Sequence, residues 1–344
     1  MNLEELKRLC RLSGVSSREE EVRDYLRAQA EPYASEIRVD ALGNLIVTKR
    51  GAKRAPGRLM LAAHMDEVGL MVDRIHEDGT LGFQFVGGIN RQVVIGKPVW
   101  IGPNRVPAVV GMKPVHLTTR KEREKIPARD KLYLDIGCAD ANAARALVEL
   151  GDVAVFSDDV QEFGAGLLKA KAIDDRVGCA VLLALLREEL PMDVTFAFTV
   201  QEEVGTRGAL GAAFSVRPEI ALIVEGTTAA DLPGLTGGQR VCSVGKGPVL
   251  PYMDGGTIYD RSLFLLLRRL AEENGIPWQT KEYLSGGTDA RAIQRSRAGV
   301  RVAGMAAAVR YLHAPSSVAS LSDCELIYKL ARLFIGAVAR GEIE

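Results

Sequence analysis

The second half of the chain alternates short apolar runs with amphipathic stretches. After Gly166, runs typical of buried strands are DVTFAFTV, EIALIVEG and VRVAGMAAAV, and runs typical of helices are DDRVGCAVLLALLREEL, TRGALGAAF and DRSLFLLLRRLAEENG. Strands that alternate with helices in this way predict a sheet with helices on both faces. The final helical run has Ser322 and Glu325 at the spacing of a capping box. We therefore predict an α/β fold with a mixed, largely parallel sheet flanked by helices.

The stretch between residues 68 and 166 has a different composition. It is rich in Val, Gly and Ile, has frequent turns, and contains one helical pattern, DANAARALVELG. The run before it, GRLMLAAHMDE, begins almost continuously apolar, which is typical of a strand buried on both faces. We predict a main domain formed by residues 1–67 and 167–344, and a small β-rich domain, residues 68–166, inserted into it.

Composition and charge argue against several classes of function. Lys and Arg total 44 and Asp and Glu total 44, so the chain has no net field that would attract nucleic acid or anionic lipid. The five cysteines are scattered without a C-x-x-C pair, which argues against a disulfide framework or a thiolate zinc site. The N-terminus lacks the apolar core of a signal peptide, and no apolar run is long enough to span a bilayer. We expect a cytoplasmic protein without nucleic-acid or membrane partners.

Acidic and histidine side chains follow the apolar strands. These side chains are His64, Asp66 and Glu67 after the strand RLMLAA, Glu202 and Glu203 after DVTFAFTVQ, Glu225 after EIALIV and His313 after VRVAGMAAAV, with Asp174 and Asp175 opening a helix. Because the carboxyl ends of parallel strands meet at one edge of a sheet, we expect these side chains to lie together. Crowded carboxylates resist ionisation unless cations lie between them, so the set suits two metal ions. Oxygen and nitrogen ligands fit Zn²⁺, Co²⁺ or Mn²⁺.

Two of these acids suggest roles other than metal ligand. Asp66, two residues after His64 on an extended strand end, points the same way and could hold the second N–H of the imidazole. Glu202 and Glu203 come directly after a buried strand, which is best explained by one ligand and one free carboxylate acting as a base. Taken alone, each motif has a structural alternative: a surface H-x-D, a solvated turn, or acids favoured by a helix dipole.

Six strings in the chain resemble the motifs of the TET-type aminopeptidases. They are AAHMDEVGLMV, KAIDDRVGCAVLL, TVQEEVGTRGA, VEGTTAAD, SGGTDARAIQ and RYLHAP, and they occur in the family's order over essentially the whole chain. This family of dinuclear metallopeptidases includes glutamyl and deblocking aminopeptidases, and some members have been labelled endoglucanases. The resemblance implies a metal-dependent aminopeptidase that removes N-terminal residues from peptides.

The resemblance also implies roles for individual residues. Two divalent metal ions per chain, zinc or else cobalt or manganese, would have five ligands: Asp174 bridging both, His64 and Glu225 on one, and Glu203 and His313 on the other. Glu202 would be the general base and Asp66 would orient the imidazole of His64. A cis peptide bond is expected between the two acids of IDDR. Many members have Asp where this chain has Glu225, so this ligand is one methylene longer.

Expectations for fold, substrate and assembly follow from the same resemblance. The inserted domain would be β-barrel-like or PDZ-like, and members commonly assemble through it into hollow dodecamers, so a homo-oligomer is expected. The substrates would be peptides with a free N-terminus. The loop from Ser285 to Arg291 is a candidate wall of the substrate pocket, through Gly287, Thr288 and Asp289; a plain turn between strand and helix is the alternative.

Two other functions remain alternatives at this point. A glycoside hydrolase needs a pair of carboxylates beside a sugar cleft and no metal. Here the carboxylates occur with two histidines, and 6% aromatic residues offer few stacking platforms for a glucan. A non-catalytic shell protein would have lost the base or several ligands, whereas Glu202 and the candidate ligands are present.

Overall fold

The structure is a computed structural model that describes residues 1–55, 58–157, 159–284 and 286–343. Its strands are β1 (Glu36–Val39), β2 (Leu45–Lys49), β3 (Leu59–His64), β4 (Gly69–Ile75), β5 (Leu81–Val86), β6 (Pro98–Ile101), β7 (Val106–Met112), β8 (Leu132–Asp135), β9 (Val153–Phe156), β10 (Gln161–Phe163), β11 (Leu167–Ala170), β12 (Val194–Thr199), β13 (Ile220–Ala229), β14 (Arg301–Arg310) and β15 (Ser317–Ser320). Its helices are α1 (Leu3–Arg11), α2 (Glu20–Ala30), α3 (Arg91–Val94), α4 (Arg120–Arg123), α5 (Ala141–Arg145), α6 (Ile173–Leu186), α7 (Arg207–Val216), α8 (Arg261–Glu273), α9 (Ala290–Gln294) and α10 (Leu321–Arg340).

The main sheet has the order β1-β2-β12-β3-β13-β14-β15-β11-β10. Its central strands β12, β3, β13 and β14 are parallel to their neighbours in that group, and the strands on both flanks pair antiparallel. The carboxyl ends of the four parallel strands therefore meet at one edge. The predicted fold class, a mixed sheet flanked by helices with an additional small barrel, is confirmed.

The sheet is buried because helices cover both of its faces. Along β3, Leu59 and Leu61 pack into the layer formed with α1, α2, α6, α8 and α10. Met60 and Ala62 point to the opposite layer, where α7 and α9 pack. Successive side chains on a strand point to opposite faces, so a strand with helices on both sides must be apolar throughout. This accounts for the continuous apolar runs in the sequence.

Strands β4 to β9 form a closed barrel in the order β4-β5-β8-β7-β6-β9. Alternate residues of its strands, such as Leu70, Val72, Phe83 and Val99, point inward and form a hydrophobic core separate from that of the main sheet. The barrel begins five residues after His64, at Gly69, and its last strand ends at Phe156. The predicted boundaries of the inserted domain, residues 68–166, stay a prediction; in the structure β10 pairs with β11 of the main sheet.

Local details differ from the sequence pattern at two places. The last helix is capped by Ser320, whose hydroxyl accepts a hydrogen bond from the backbone N–H of Asp323, so the cap lies two residues before the predicted Ser322. The pattern DANAARALVELG forms only the short helix α5, which Asp140 caps through bonds from two backbone N–H groups. Among the described helices, none combines the length and the apolar character that crossing a membrane requires.

Candidate metal centre

The parallel strands deliver the predicted residues to one edge of the main sheet. His64 is the last residue of β3, Glu225 lies within β13, and His313 follows the end of β14 by three residues. Glu202 and Glu203 follow the end of β12, and Asp174 lies at the start of α6, with a cis peptide bond to Asp175. Strand β13 extends beyond the end of β3, and Ile223 pairs with Ala62. Two residues further along each strand, Glu225 lies beside His64.

Asp174 lies between the two histidines. Its Oδ1 atom is 3.4 Å from Nε2 of His64, and its Oδ2 atom is 3.7 Å from Nε2 of His313. Each histidine also faces a second carboxylate: Nε2 of His64 is 2.9 Å from Oε1 of Glu225, and Nε2 of His313 is 3.1 Å from Oε2 of Glu203. The five predicted ligands thus form two groups that share the carboxylate of Asp174.

Three carboxylates of this cluster, those of Asp174, Glu203 and Glu225, face two histidines. Burial raises the pKa of Glu225 to about 8 and raises that of Glu203 as well. Burial alone would raise the pKa of Asp174, but its contacts with His313 and His64 lower it below the ordinary value. The Oε2 atom of Glu225 is buried and has no hydrogen-bond partner among the described residues. A buried carboxylate oxygen without a partner is costly unless a cation or proton satisfies it, so the cluster fits divalent metal ions.

Two groups of ligand-type atoms are close enough to hold a metal ion. Atoms of His64, Asp174 and Glu203 all lie within 4.8 Å of one another, and the same holds for His64, Asp175 and Glu225. Asp175 was not predicted as a ligand. Its Oδ2 atom accepts a bond from the backbone N–H of His64 and its Oδ1 atom accepts one from Gly178, so both oxygens already hold the backbone in place.

Asp66 joins the two sides of the site, with both carboxylate oxygens engaged. Its Oδ1 atom accepts the backbone N–H of Glu202 at 2.9 Å, and its Oδ2 atom accepts that of Glu203 at 3.1 Å. The Nδ1 atom of His64 lies 3.0 Å from the backbone carbonyl oxygen of Asp66 and 3.4 Å from its Oδ1. The side chain therefore sets the position of the Glu202–Glu203 backbone, and the closer contact to the imidazole comes from the carbonyl.

A residue of the barrel also contacts the cluster. The Nδ1 atom of His313 lies 3.1 Å from the backbone carbonyl oxygen of Gly88, in the segment between β5 and α3. This contact orients the ring so that Nε2 faces Asp174 and Glu203. A contact from a distant main-chain carbonyl has no local sequence signal.

A cavity of about 490 Å³ opens beside the cluster. It is lined by Gly88, Asn90, Val93, Asp174, Glu202, Glu225, Gly226, Thr227, Thr228, Lys281, Gly286, Gly287, Thr288, Tyr311, Leu312, His313 and Ala314. Burial raises the pKa of Glu202 well above the ordinary value. Among the described residues, no side chain forms a hydrogen bond with the carboxylate of Glu202. A carboxyl group of this kind, beside the cavity, is free to exchange protons.

The residues predicted to line the substrate pocket lie in two different environments. Gly287 and Thr288 lie in the cavity wall, whereas Asp289 is 1% exposed and lies behind it. Ser285, the first residue of the predicted loop, lies outside the described residues. The hydroxyl of Thr199 is 2.5 Å from Oδ2 of Asp289, so this acid contacts the end of β12.

Several residues around the site were missed by sequence reasoning. The hydroxyl of Ser16 donates to Oδ2 of Asp66 at 2.6 Å, and Oε1 of Glu19 accepts the backbone N–H of Gln201 at 3.2 Å. Thr199 could have been noticed as a polar residue that ends an apolar strand. Ser16 and Glu19 have no comparable signal, because their local pattern is that of a helix start.

Comparisons with known proteins agree with this geometry. The model of the M42 glutamyl aminopeptidase family matches residues 43–330. A relative from Acetivibrio thermocellus, named "Putative aminopeptidase", is 37% identical over 94% of this chain and 96% of its own length. A solved structure of a TET aminopeptidase from a marine sediment archaeon of the Thaumarchaeota is 34% identical, with a TM-score of 0.92 over 96% of this chain and 95% of that one.

A second solved structure concerns assembly. The TET1 peptidase of Pyrococcus horikoshii, described as able to assemble into a tetrahedron or a large octahedral shell, is 32% identical, with a TM-score of 0.85 over 96% of this chain and 98% of that one. The resemblance to TET-type aminopeptidases is thereby confirmed. Because the family model covers most of its length and the fold and strand-end residues agree, this chain belongs to the M42 glutamyl aminopeptidase family.

Proposed function

We propose that this chain is a two-metal aminopeptidase that removes residues from the N-terminus of peptides. The observation that carries the proposal is the position of Asp174, whose two carboxylate oxygens face the two imidazoles of His64 and His313. A carboxylate in this position can bridge two cations. Membership of an aminopeptidase family supports the same activity.

The five candidate ligands divide between two metal positions. Asp174 would bridge, and the other ligands are His64 and Glu225 on one side and Glu203 and His313 on the other. Nitrogen and carboxylate oxygen without thiolate suit Zn²⁺, with Co²⁺ or Mn²⁺ as alternatives. When bound, two such ions would polarise a carbonyl group and make water more acidic. Glu225 has the length to reach His64, as its 2.9 Å contact indicates.

Glu202 is the proposed general base. Glu202 lines the cavity, and burial raises its pKa well above the ordinary value, so its carboxylate has a higher proton affinity than that of an exposed glutamate. Asp66 fixes the backbone of Glu202 through the 2.9 Å bond to its N–H, so the base is held in place by the residue that also contacts His64. Glu202 would take a proton from water and pass it to the leaving amine.

The substrate would enter through the cavity beside the cluster. Its volume of about 490 Å³ suits the terminal part of a peptide, and Gly287 and Thr288 would form one wall. A free α-amino group would be held there by a metal ion or by an acidic side chain of the cluster. Glycoside hydrolysis is not favoured, because these carboxylates face histidines across the cluster.

We further propose that copies of this chain assemble into a closed shell. The TET1 peptidase of Pyrococcus horikoshii is 32% identical and forms such shells. The barrel, which has its own core, is the proposed contact between copies, and a dodecamer is the proposed size. Measurement of the mass in solution by light scattering tests this part separately.

The experiment that tests the activity is hydrolysis of a panel of aminoacyl-anilides by metal-stripped protein, titrated with Zn²⁺, Co²⁺ or Mn²⁺. The Glu202→Gln variant should lose about 10²–10⁴-fold in kcat while its metal content stays unchanged. Glu189→Gln, at an exposed glutamate, is the matched control. Acetylating the substrate amine should abolish cleavage. If fully loaded wild-type protein cleaves none of the panel, the proposed activity is wrong.

A further inference from the structure

Asp289 occupies the position before α9 where an aspartate ordinarily caps a helix. Its side chain does not cap α9: no backbone N–H of the helix donates to it, and the hydroxyl of Thr288 accepts the N–H of Ala290 in its place. The carboxylate is instead turned inward and is 1% exposed. Helix capping therefore does not explain why an acid lies at this position.

The inward contact of Asp289 is with the end of β12. Its Oδ2 atom is 2.5 Å from Oγ1 of Thr199, and that hydroxyl is also 3.2 Å from the backbone carbonyl oxygen of Ala63, the residue before His64. One hydroxyl thus joins the loop to the ends of β12 and β3. The Oδ1 atom of Asp289 is buried without a partner among the described residues, so the bond to Thr199 is what offsets burial of this acid.

A second contact holds the same loop from its other side. The hydroxyl of Tyr259 donates to Oδ2 of Asp254 at 2.8 Å and lies 3.2 Å from Oγ1 of Thr288. The backbone N–H of Gly255 donates to the carbonyl oxygen of Gly286 at 2.8 Å. The cavity wall Gly286–Thr288, whose two glycines are exposed, is therefore held by Asp289 on one side and by Tyr259 and Gly255 on the other.

We propose that Asp289 and Thr199 form a positioning pair, which fixes the Gly286–Thr288 wall against the end of the strand that leads to Glu202. The inference rests on the proposed function in one respect, that this wall contacts the substrate. The pair acts on the wall and not on the base, because Asp66 separately holds the backbone N–H of Glu202. Loss of the pair should therefore weaken substrate binding while the chemical step continues.

The variants that test the pair are Thr199→Val, Asp289→Ala, their combination, and Asp289→Asn. Thr199→Val and Asp289→Ala each remove one partner of the bond. Each should raise KM for the best anilide about tenfold or more, with kcat changed by less than about threefold. The double variant should be no worse than either single one, since both remove the same bond. Asp289→Asn, which still bonds a hydroxyl, should restore most of the affinity. Thr195→Val, a buried threonine at the opposite end of β12, is the matched control and should leave both constants unchanged.

A measurement without substrate separates this inference from the proposed function. Amide hydrogen exchange in peptides covering residues 286–294 should be faster in Thr199→Val and Asp289→Ala than in wild type, and unchanged in Thr195→Val. If wild type cleaves no anilide, the proposed function fails and the exchange result alone decides on the pair. Unchanged exchange in both variants, additive effects on KM, or an equal effect of Thr195→Val would each overturn the inference.

Discussion

The ammonium group of Lys171 lies 2.7 Å and 2.9 Å from the two carboxylate oxygens of Glu67, and both residues are 2% exposed. Glu67 comes three residues after His64, and Lys171 comes three residues before Asp174. The ion pair therefore links the two segments that carry these candidate ligands. The ammonium group also donates to the carbonyl oxygen of Leu12, which brings the N-terminal part of the chain into the same contact.

Breaking this pair should destabilise the protein strongly. Lys171→Met leaves the buried carboxylate of Glu67 with a single, longer cation contact, the 3.3 Å contact to Arg176, among the described residues, and we expect a loss of about 3 kcal/mol in the free energy of unfolding, measured with urea. The control is Lys169→Met: Lys169 makes a 2.6 Å pair with Asp159, but both side chains are partly exposed, so less than about 1 kcal/mol should be lost. Equal losses in the two variants would show that burial of the Glu67 pair is unimportant.

Removing the shared carboxylate should affect both metal positions. Asp174→Asn weakens the ligand that both metal positions share, so the variant should bind less metal at both positions. Glu225→Gln should lose chiefly the ion at the position on the His64 side. Metal content after dialysis, measured by plasma mass spectrometry, distinguishes the two. Asp159→Asn, at an exposed acid, should keep the wild-type content. Retention of both ions by Asp174→Asn would rule out a bridging role.

Stability should depend on pH through Glu19. Burial, and then the charge of Asp66, raise the pKa of Glu19 to about 7 from 4.5. Because the folded pKa is raised, the stabilisation is complete below pH 4.5 and is lost as pH rises through about 7, by about 3 kcal/mol in all. The side chain of Glu19→Gln cannot ionise, so this loss should be absent from the variant. The free energy of unfolding of the variant minus that of wild type should therefore be larger at pH 8 than at pH 5. Urea unfolding at both values, with a chelator present, measures the difference.

The neighbouring variant Glu20→Gln serves as the control for this pH dependence, since that side chain is exposed. Its stability relative to wild type should be the same at pH 5 and pH 8. If Glu19→Gln behaves in the same way, the acid at position 19 does not have a raised pKa in the folded protein.

A small change in the barrel should reach the metal cluster. Gly87 has a φ of +84°, and an added Cβ atom would lie 2.7 Å from Cγ1 of Val68. Gly87→Ala should therefore shift the carbonyl of Gly88 and weaken metal binding on the His313 side. Gly96→Ala is the control: Gly96 has a φ of +73° in the same barrel, but no atom of the described residues lies within 4 Å of an added Cβ. Isothermal titration with Zn²⁺ should show weakened affinity in the first variant alone.

The positions of the candidate ligands could be predicted from the sequence because the carboxyl ends of parallel strands meet at one edge of a sheet. Apolar runs predict buried strands, and the acids that follow them predict one crowded sheet edge, so the candidate ligands could be named before the geometry was known. The structure brings His64, Asp174, Glu203, Glu225 and His313 together, while their role as ligands stays a proposal.

The remaining contacts depend on packing between distant segments. Nothing near Gly88 in the sequence indicates that its carbonyl faces His313, because the contact joins residues more than two hundred positions apart. Asp289 was predicted in the pocket wall, yet its side chain is turned to Thr199, a choice between two directions that the local sequence does not fix. Caps also shift by two residues, as at Ser320, because neighbouring serines offer equivalent hydroxyls.

The hydrogen bond from Ser16 to Asp66 bears on how far an N-terminal truncation of this protein can go. The family model matches from residue 43, so a fragment started there would retain every candidate ligand. It would nevertheless remove the Ser16 donor and leave Oδ2 of Asp66 with one donor among the described residues, the N–H of Glu203, and it would remove a carbonyl group that Lys171 contacts. The smallest portion of the chain that can be expected to reproduce the site is therefore longer than the portion that the family model matches.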